Sequence, residues 1–204
     1  MNKITYNYLA LGDSYTIGEK VPLKQNFPNQ TIRLLKKKKI RFNDPAIVAT
    51  TGWTTDELQE ALTKVRLAVP FNIVTLLIGV NNQYRGRTVE DYKPQFTQLL
   101  EQAIAYAGGN AGHVIVLSIP DWGVTPFAKG RNRSKIAKEI NAFNAANKTI
   151  ARSYGTHYIN ITPLTREASK DLTLLAKDGL HPSAKDYCRW AEKVAAKIET
   201  ILTK

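Results

Sequence analysis

The stretch Ile73-Val74-Thr75-Leu76-Leu77-Ile78-Gly79-Val80-Asn81-Asn82 decides the fold class. An apolar run with no period-two alternation, stopped by a glycine, is what a strand buried on both faces requires. Such strands belong to parallel sheets covered by helices on either side. Flanking segments supply those helices. Upstream, Thr54 with Glu57 three residues on forms a capping box, and a helix follows through Leu58, Leu62 and Val65. Downstream, Val89, Tyr92, Phe96, Leu99, Leu100, Ala103 and Ile104 recur at the three-and-four spacing of a helix.

The alternation continues to both ends. Met1-Asn2-Lys3 leads directly into a first strand over residues 6–11, ending at Gly12. Residues 26–38 read as a helix through Phe27, Ile32, Leu34 and Leu35, and residues 46–49 as a second strand. Beyond the central segment, residues 114–119 form another buried strand. Ile136, Ile140, Phe143 and Ile150 then mark a long helix closed by Gly155. Residues 158–161 make the last strand. Tyr187, Trp190, Val194, Ile198 and Ile201 stripe a terminal helix that starts at Ser183. This order predicts an α/β fold, a three-layer α/β/α sandwich, with residues 1–204 as one domain. The longest irregular piece, residues 121–133, holds Trp122, Pro126 and Phe127 and is expected near the ligand.

Composition narrows the class. The chain is 43% hydrophobic and 23% charged, and no stretch approaches the roughly 18 uninterrupted apolar residues of a membrane span. The N-terminus has no apolar leader core, so the address reads as cytoplasmic as written, or secreted or periplasmic if a leader was removed. One cysteine, Cys188, excludes an internal disulfide and a multi-cysteine metal site; its helical surroundings predict inert packing. The net charge is +12. Its densest run, Lys36-Lys37-Lys38-Lys39, ends a predicted helix, where cations complement the dipole. No aromatic residues interleave it, so nucleic acid is not expected as a partner. No His/Asp/Glu cluster has metal-ligand spacing and no phosphate loop is present, so neither cofactor nor metal is expected.

In open α/β sheets ligands lie at the carboxyl ends of strands. Four clusters converge there from across the chain: Gly12-Asp13-Ser14-Tyr15, Thr51-Gly52-Trp53, Gly79-Val80-Asn81-Asn82 and Asp178-Gly179-Leu180-His181-Pro182. A serine hydroxyl needs a base, and histidine titrates in the right range. The base needs an acceptor for its other ring nitrogen, and Asp178 stands three residues before His181. An oxyanion needs donors, which the Ser14 and Gly52 amides and the Asn81 side chain can supply.

With these residues in place, the chain resembles the SGNH (GDSL-type) hydrolase family, named for Ser, Gly, Asn and His in four ordered blocks. The matching residues are Ser14, Gly52, Asn81 and His181, and the blocks extend from residue 12 to 182. The resemblance implies a flavodoxin-like sandwich with a central five-stranded parallel sheet and a metal-independent acyl-serine mechanism on carboxylic esters. It also implies that Asp178 rather than Asp13 is the acid beside the histidine, with Asp13 bracing the loop. Asn82 departs from the family, where aspartate often follows the block-three asparagine; altered local hydrogen bonding is expected there. Substrate class stays open among a small-molecule ester, a lipid ester cleaved by a lysophospholipase or thioesterase, and a carbohydrate O-acetyl ester. A non-catalytic protein whose basic face holds a polyanion is the rival class. The oligomeric state is not readable.

Trp53, Trp122 and Phe127 are candidates to wall the substrate pocket, and Arg85, whose fork suits a carboxylate or phosphate, to hold a polar group. His113 and His157 begin strands away from the four blocks and are expected to be structural or exposed.

Overall fold

A computed structural model describes residues 4–68 and 70–203. The reading of Met1-Asn2-Lys3 lies outside the described residues. Seven strands are present among these residues: β1 (Thr5–Tyr6), β2 (Tyr8–Asp13), β3 (Arg41–Phe42), β4 (Ala46–Thr50), β5 (Ile73–Leu77), β6 (Val114–Leu117) and β7 (His157–Ile159). Five form one sheet in the order β4-β2-β5-β6-β7, and every pairing in it is parallel. Counted along that sheet alone, the order is the flavodoxin-like 2-1-3-4-5. β2, β5 and β6 are buried at every position. This is the burial that continuous apolar runs require.

The helices are α1 (Ser14–Ile17), α2 (Phe27–Lys37), α3 (Thr55–Lys64), α4 (Val80–Tyr84), α5 (Val89–Tyr106), α6 (Arg133–Ser153), α7 (Thr162–Arg166) and α8 (Ala184–Leu202). α2 packs on α8, while α3 packs on α5 and α5 on α6. The two groups cover opposite faces, as right-handed crossovers dictate. Caps match their sequence signals. Asn26 caps α2 by accepting the Asn29 N–H at 3.0 Å. Glu57 accepts the Thr54 N–H at 2.8 Å in the capping box of α3. Gly155 closes the turn after α6 at φ +71°. No helix among the described residues is long and apolar enough to cross a membrane.

Three local expectations are corrected. Tyr6 does not begin the first sheet strand: residues 5–6 pair with β3 in a separate two-stranded ladder, and the sheet strand runs on through Gly12 to Asp13. Asn72 draws that break, since its side chain accepts the Asn7 N–H at 2.7 Å. Residues 121–133 are not featureless, because 3₁₀ turns at Trp122–Val124 and Pro126–Ala128 fold them down. Cys188 is half-exposed, with its thiol 3.9 Å from a Glu192 oxygen, rather than packed in the core.

Candidate active site

The carboxyl ends of β2 and β5 mark the point where strand order reverses, and the four clusters gather around it. β2 delivers Asp13 and then breaks into α1, with Ser14 as its first residue. Asp13 caps that helix by accepting the Tyr15 N–H at 3.0 Å. Only glycine fits at 12: a Cβ there would lie 2.4 Å from the Leu77 carbonyl oxygen and 2.1 Å from Thr16 Oγ1. Asp13 is fully buried and its second oxygen lacks a partner among the described residues. Burial pushes its carboxyl up to about 7, although the Tyr15 amide opposes that rise.

The histidine comes from the last block. Asp178 folds its own turn, accepting the backbone N–H of Leu180 at 3.0 Å and of His181 at 3.1 Å. Its other oxygen lies 2.6 Å from His181 Nδ1. Burial pushes the Asp178 carboxyl up, but the His181 ring and these two amides outweigh it and hold the group below the usual carboxylate range. The turn is clamped from behind by a bridge between Leu175 and Pro182, with the Ala176 N–H donating to the His181 carbonyl at 2.8 Å. His181 Nε2 then lies 3.0 Å from Ser14 Oγ. The Tyr15 ring packs against the imidazole, centroids 4.9 Å apart. Nucleophile, base and acid span residues 14 to 181, yet form one continuous hydrogen-bonded line.

The remaining blocks meet at the same place. Gly52 sits at φ +85°, where a Cβ would meet only Arg85 Nη2, at 3.7 Å; backbone conformation rather than crowding requires glycine. No acceptor among the described residues takes its N–H. Asn81 lies in the first turn of α4 and donates one amide hydrogen to the Trp53 carbonyl at 2.9 Å. That bond fixes the carboxamide plane and leaves the second hydrogen for the pocket. Asn82 is fully buried: it accepts the Thr55 N–H at 3.1 Å and donates to Thr55 Oγ1 at 2.7 Å, tying α4 to the start of α3.

A cavity of about 160 Å³ opens beside Ser14 and His181, with Gly52, Asn81, Tyr84, Trp122 and Phe127 in its wall. Trp122 and Phe127 thus stand where the sequence placed them. Trp53 and Arg85 do not line it. The Trp53 contribution is its carbonyl, and Arg85 is occupied, donating to the Gly52 carbonyl at 2.7 Å and pairing with Glu57 at 3.2 Å. Sequence reasoning missed Tyr15, Tyr84 and Leu180, which share the wall. All three lie within or beside the four blocks, and that adjacency was the available signal. It also missed Gln83, which accepts the Trp122 indole N–H at 2.7 Å and donates to Glu139 at 2.8 Å, setting the ring that floors the pocket.

Comparison with known proteins bears on the family and the fold. Residues 10–187 match the family model described as GDSL-like lipase/acylhydrolase. No curated protein sequence matches the chain. Among solved structures, an acetylxylan esterase from Geobacillus stearothermophilus superposes with a TM-score of 0.75 at 17% identity, over 97% of this chain and 96% of that one. A lipolytic protein of the G-D-S-L family from Veillonella parvula gives 0.70 at 18% identity, over 98% and 100%. The psychrotrophic esterase EstA from a Pseudoalteromonas species gives 0.69 at 16% identity, over 98% and 100%. At such identities the superpositions establish the shared fold.

Proposed function

The chain belongs to the GDSL-like lipase/acylhydrolase family, and from that premise we propose that it is a serine esterase that releases short acyl groups from carboxylic esters. The observation that carries this reading is the line from Asp178 through His181 to Ser14, at 2.6 and 3.0 Å. In the proposed reaction His181 Nε2 takes the Ser14 proton as Oγ attacks the ester carbonyl. Asp178 holds Nδ1–H, which keeps Nε2 free as acceptor and stabilises the imidazolium. The tetrahedral oxyanion receives hydrogen bonds from the Ser14 and Gly52 amides and the free Asn81 hydrogen. Collapse passes the proton from Nε2 to the leaving alcohol, leaving acyl-Ser14. Water then repeats the sequence, with His181 as base again, and releases the acid.

Pocket size supports the short-acyl part. About 160 Å³ is close to the space that holds a benzene ring, enough for an acetyl or butyryl group and too little for a palmitoyl chain. Tyr84 and Phe127, 41% and 43% exposed, stand at the pocket as aromatic side chains of the kind that pack on sugars, with Arg131 over the Tyr84 ring. Together with the acetylxylan esterase among the similar structures, they favour a carbohydrate O-acetyl ester over a lipid ester. The test is hydrolysis of p-nitrophenyl esters from acetate to palmitate by wild type and Ser14→Ala. Turnover lost in the variant and falling beyond butyrate is expected. Activity that survives Ser14→Ala would overturn the mechanism, and a maximum at long chains would overturn the substrate class.

A further inference from the structure

Much of the positive charge is concentrated in one segment. From residue 20 to residue 43 the chain carries eight Lys and Arg and no Asp or Glu. Two of the eight pair with carboxylates, Lys20 with Glu19 and Lys38 with Glu199, and Arg33 donates to Gln30 at 2.9 Å. The segment does not simply coat the surface; it forms one wall of a groove of about 590 Å³ between α2 and the β3–β4 edge. The groove has an apolar floor of Ile32, Phe42, Pro45 and Ile47. Its rim carries Lys24, Arg33 and Lys36, against a single carboxylate, Asp44. Among the described residues none of these three cations meets a carboxylate. At the lip Leu23 is 65% exposed.

We propose that this face docks on an anionic lipid surface. Cations on the rim attract the headgroups, while Leu23 enters the boundary between headgroup and acyl chain. A soluble polyanion would use the cations alone and would leave the apolar floor and the exposed Leu23 side chain without a role. Placement adds a consequence. Ile47 in the groove lies four residues before Thr51 in the pocket wall, so the two sites are about 13 Å apart along one edge strand. Docking therefore brings the lipid surface to the edge strand that leads to the pocket wall.

The test is sedimentation of the whole protein with vesicles of phosphatidylcholine alone, or of three parts phosphatidylcholine to one of phosphatidylglycerol, in about 0.1 M salt. Retention on the anionic vesicles only is expected. The pair Lys24→Gln and Lys36→Gln should weaken it roughly thirtyfold, and Leu23→Ser roughly tenfold. Both variants should keep wild-type turnover of a soluble short ester, which shows that they fold. Three results would overturn the proposal: no retention on either vesicle, equal retention of wild type and variants, or heparin binding that displaces the vesicles and ignores Leu23→Ser. The last would assign the face to a soluble polyanion.

Discussion

At the scale of single residues, the proposed site separates groups that act only as charge develops from groups that hold the ground state. Asn81 offers its free hydrogen to an oxyanion, so Asn81→Ala should lower kcat on the order of 10²–10³ with little change in KM. Asp178→Asn presents a carboxamide to Nδ1 and favours the wrong imidazole tautomer. Its kcat should fall on the order of 10²–10⁴, read in the same assay. Asp13 behaves differently, because its carboxyl is pushed up to about 7 by burial. The unfolded chain releases this proton near pH ~4, whereas the folded protein keeps it until about pH 7. Between those values the unfolded state binds fewer protons, so stability falls as pH rises; below the window the penalty is absent. Asn at this position keeps a capping acceptor and cannot ionise. Denaturation of Asp13→Asn should match wild type near pH ~4 and exceed it at pH ~8, on the order of 2–4 kcal/mol. A gap independent of pH would show that Asp13 ionises normally.

At the scale of elements, the oxyanion block is braced from outside the pocket. Asn82 satisfies the Thr55 N–H and hydroxyl at the start of α3, the helix that follows the Gly52 turn. Asn82→Ala strands the buried Thr55 N–H and removes one of two partners of the hydroxyl, which still donates to Gln95; the cost is about 1–3 kcal/mol. At about 2–4 °C per kcal/mol for a chain of this size, thermal unfolding should show the loss, while turnover of a soluble ester persists. The elements themselves were largely legible. Period and burial made β5, β6, α5 and α8 readable, because apolar runs and three-and-four stripes each have one structural solution. The break at Asn7 was not, since it depends on Asn72, sixty-five positions away. In the candidate site, Ser14, Gly52 and Asn81 were legible as types at strand ends, and Asp178 and His181 as a pair in the loop before the last helix. Trp53 and Arg85 were misplaced for a common reason. Chemistry suited to a pocket does not reveal which way a side chain leaves the backbone, and Arg85 turns to the Gly52 carbonyl instead.

At the scale of the molecule, the site exists because α8 closes the fold against its beginning. Trp190 is among the largest fully buried side chains; it stacks near Tyr15, packs on Phe27 and donates to Asp186 at 3.1 Å. It thereby ties the helix after the His181 turn to the strand-to-helix junction that carries Ser14. Trp190→Ala should cost about 3–5 kcal/mol, a drop of about 10 °C in unfolding temperature. Turnover should fail at a lower temperature than global unfolding if the two ends part first; coincident loss would mean that they separate only with the whole domain.

The hydrogen bond between His181 and Ser14 joins residues 167 positions apart. A ribosome adding about 5–20 residues per second therefore exposes the serine roughly 8–33 seconds before its base is made. For that interval the nascent chain carries a hydroxyl without its proposed base, and the same holds for any product that terminates before His181. Under the proposed mechanism, activity therefore requires synthesis past His181, and a stop before it releases an inert fragment rather than an unguarded esterase.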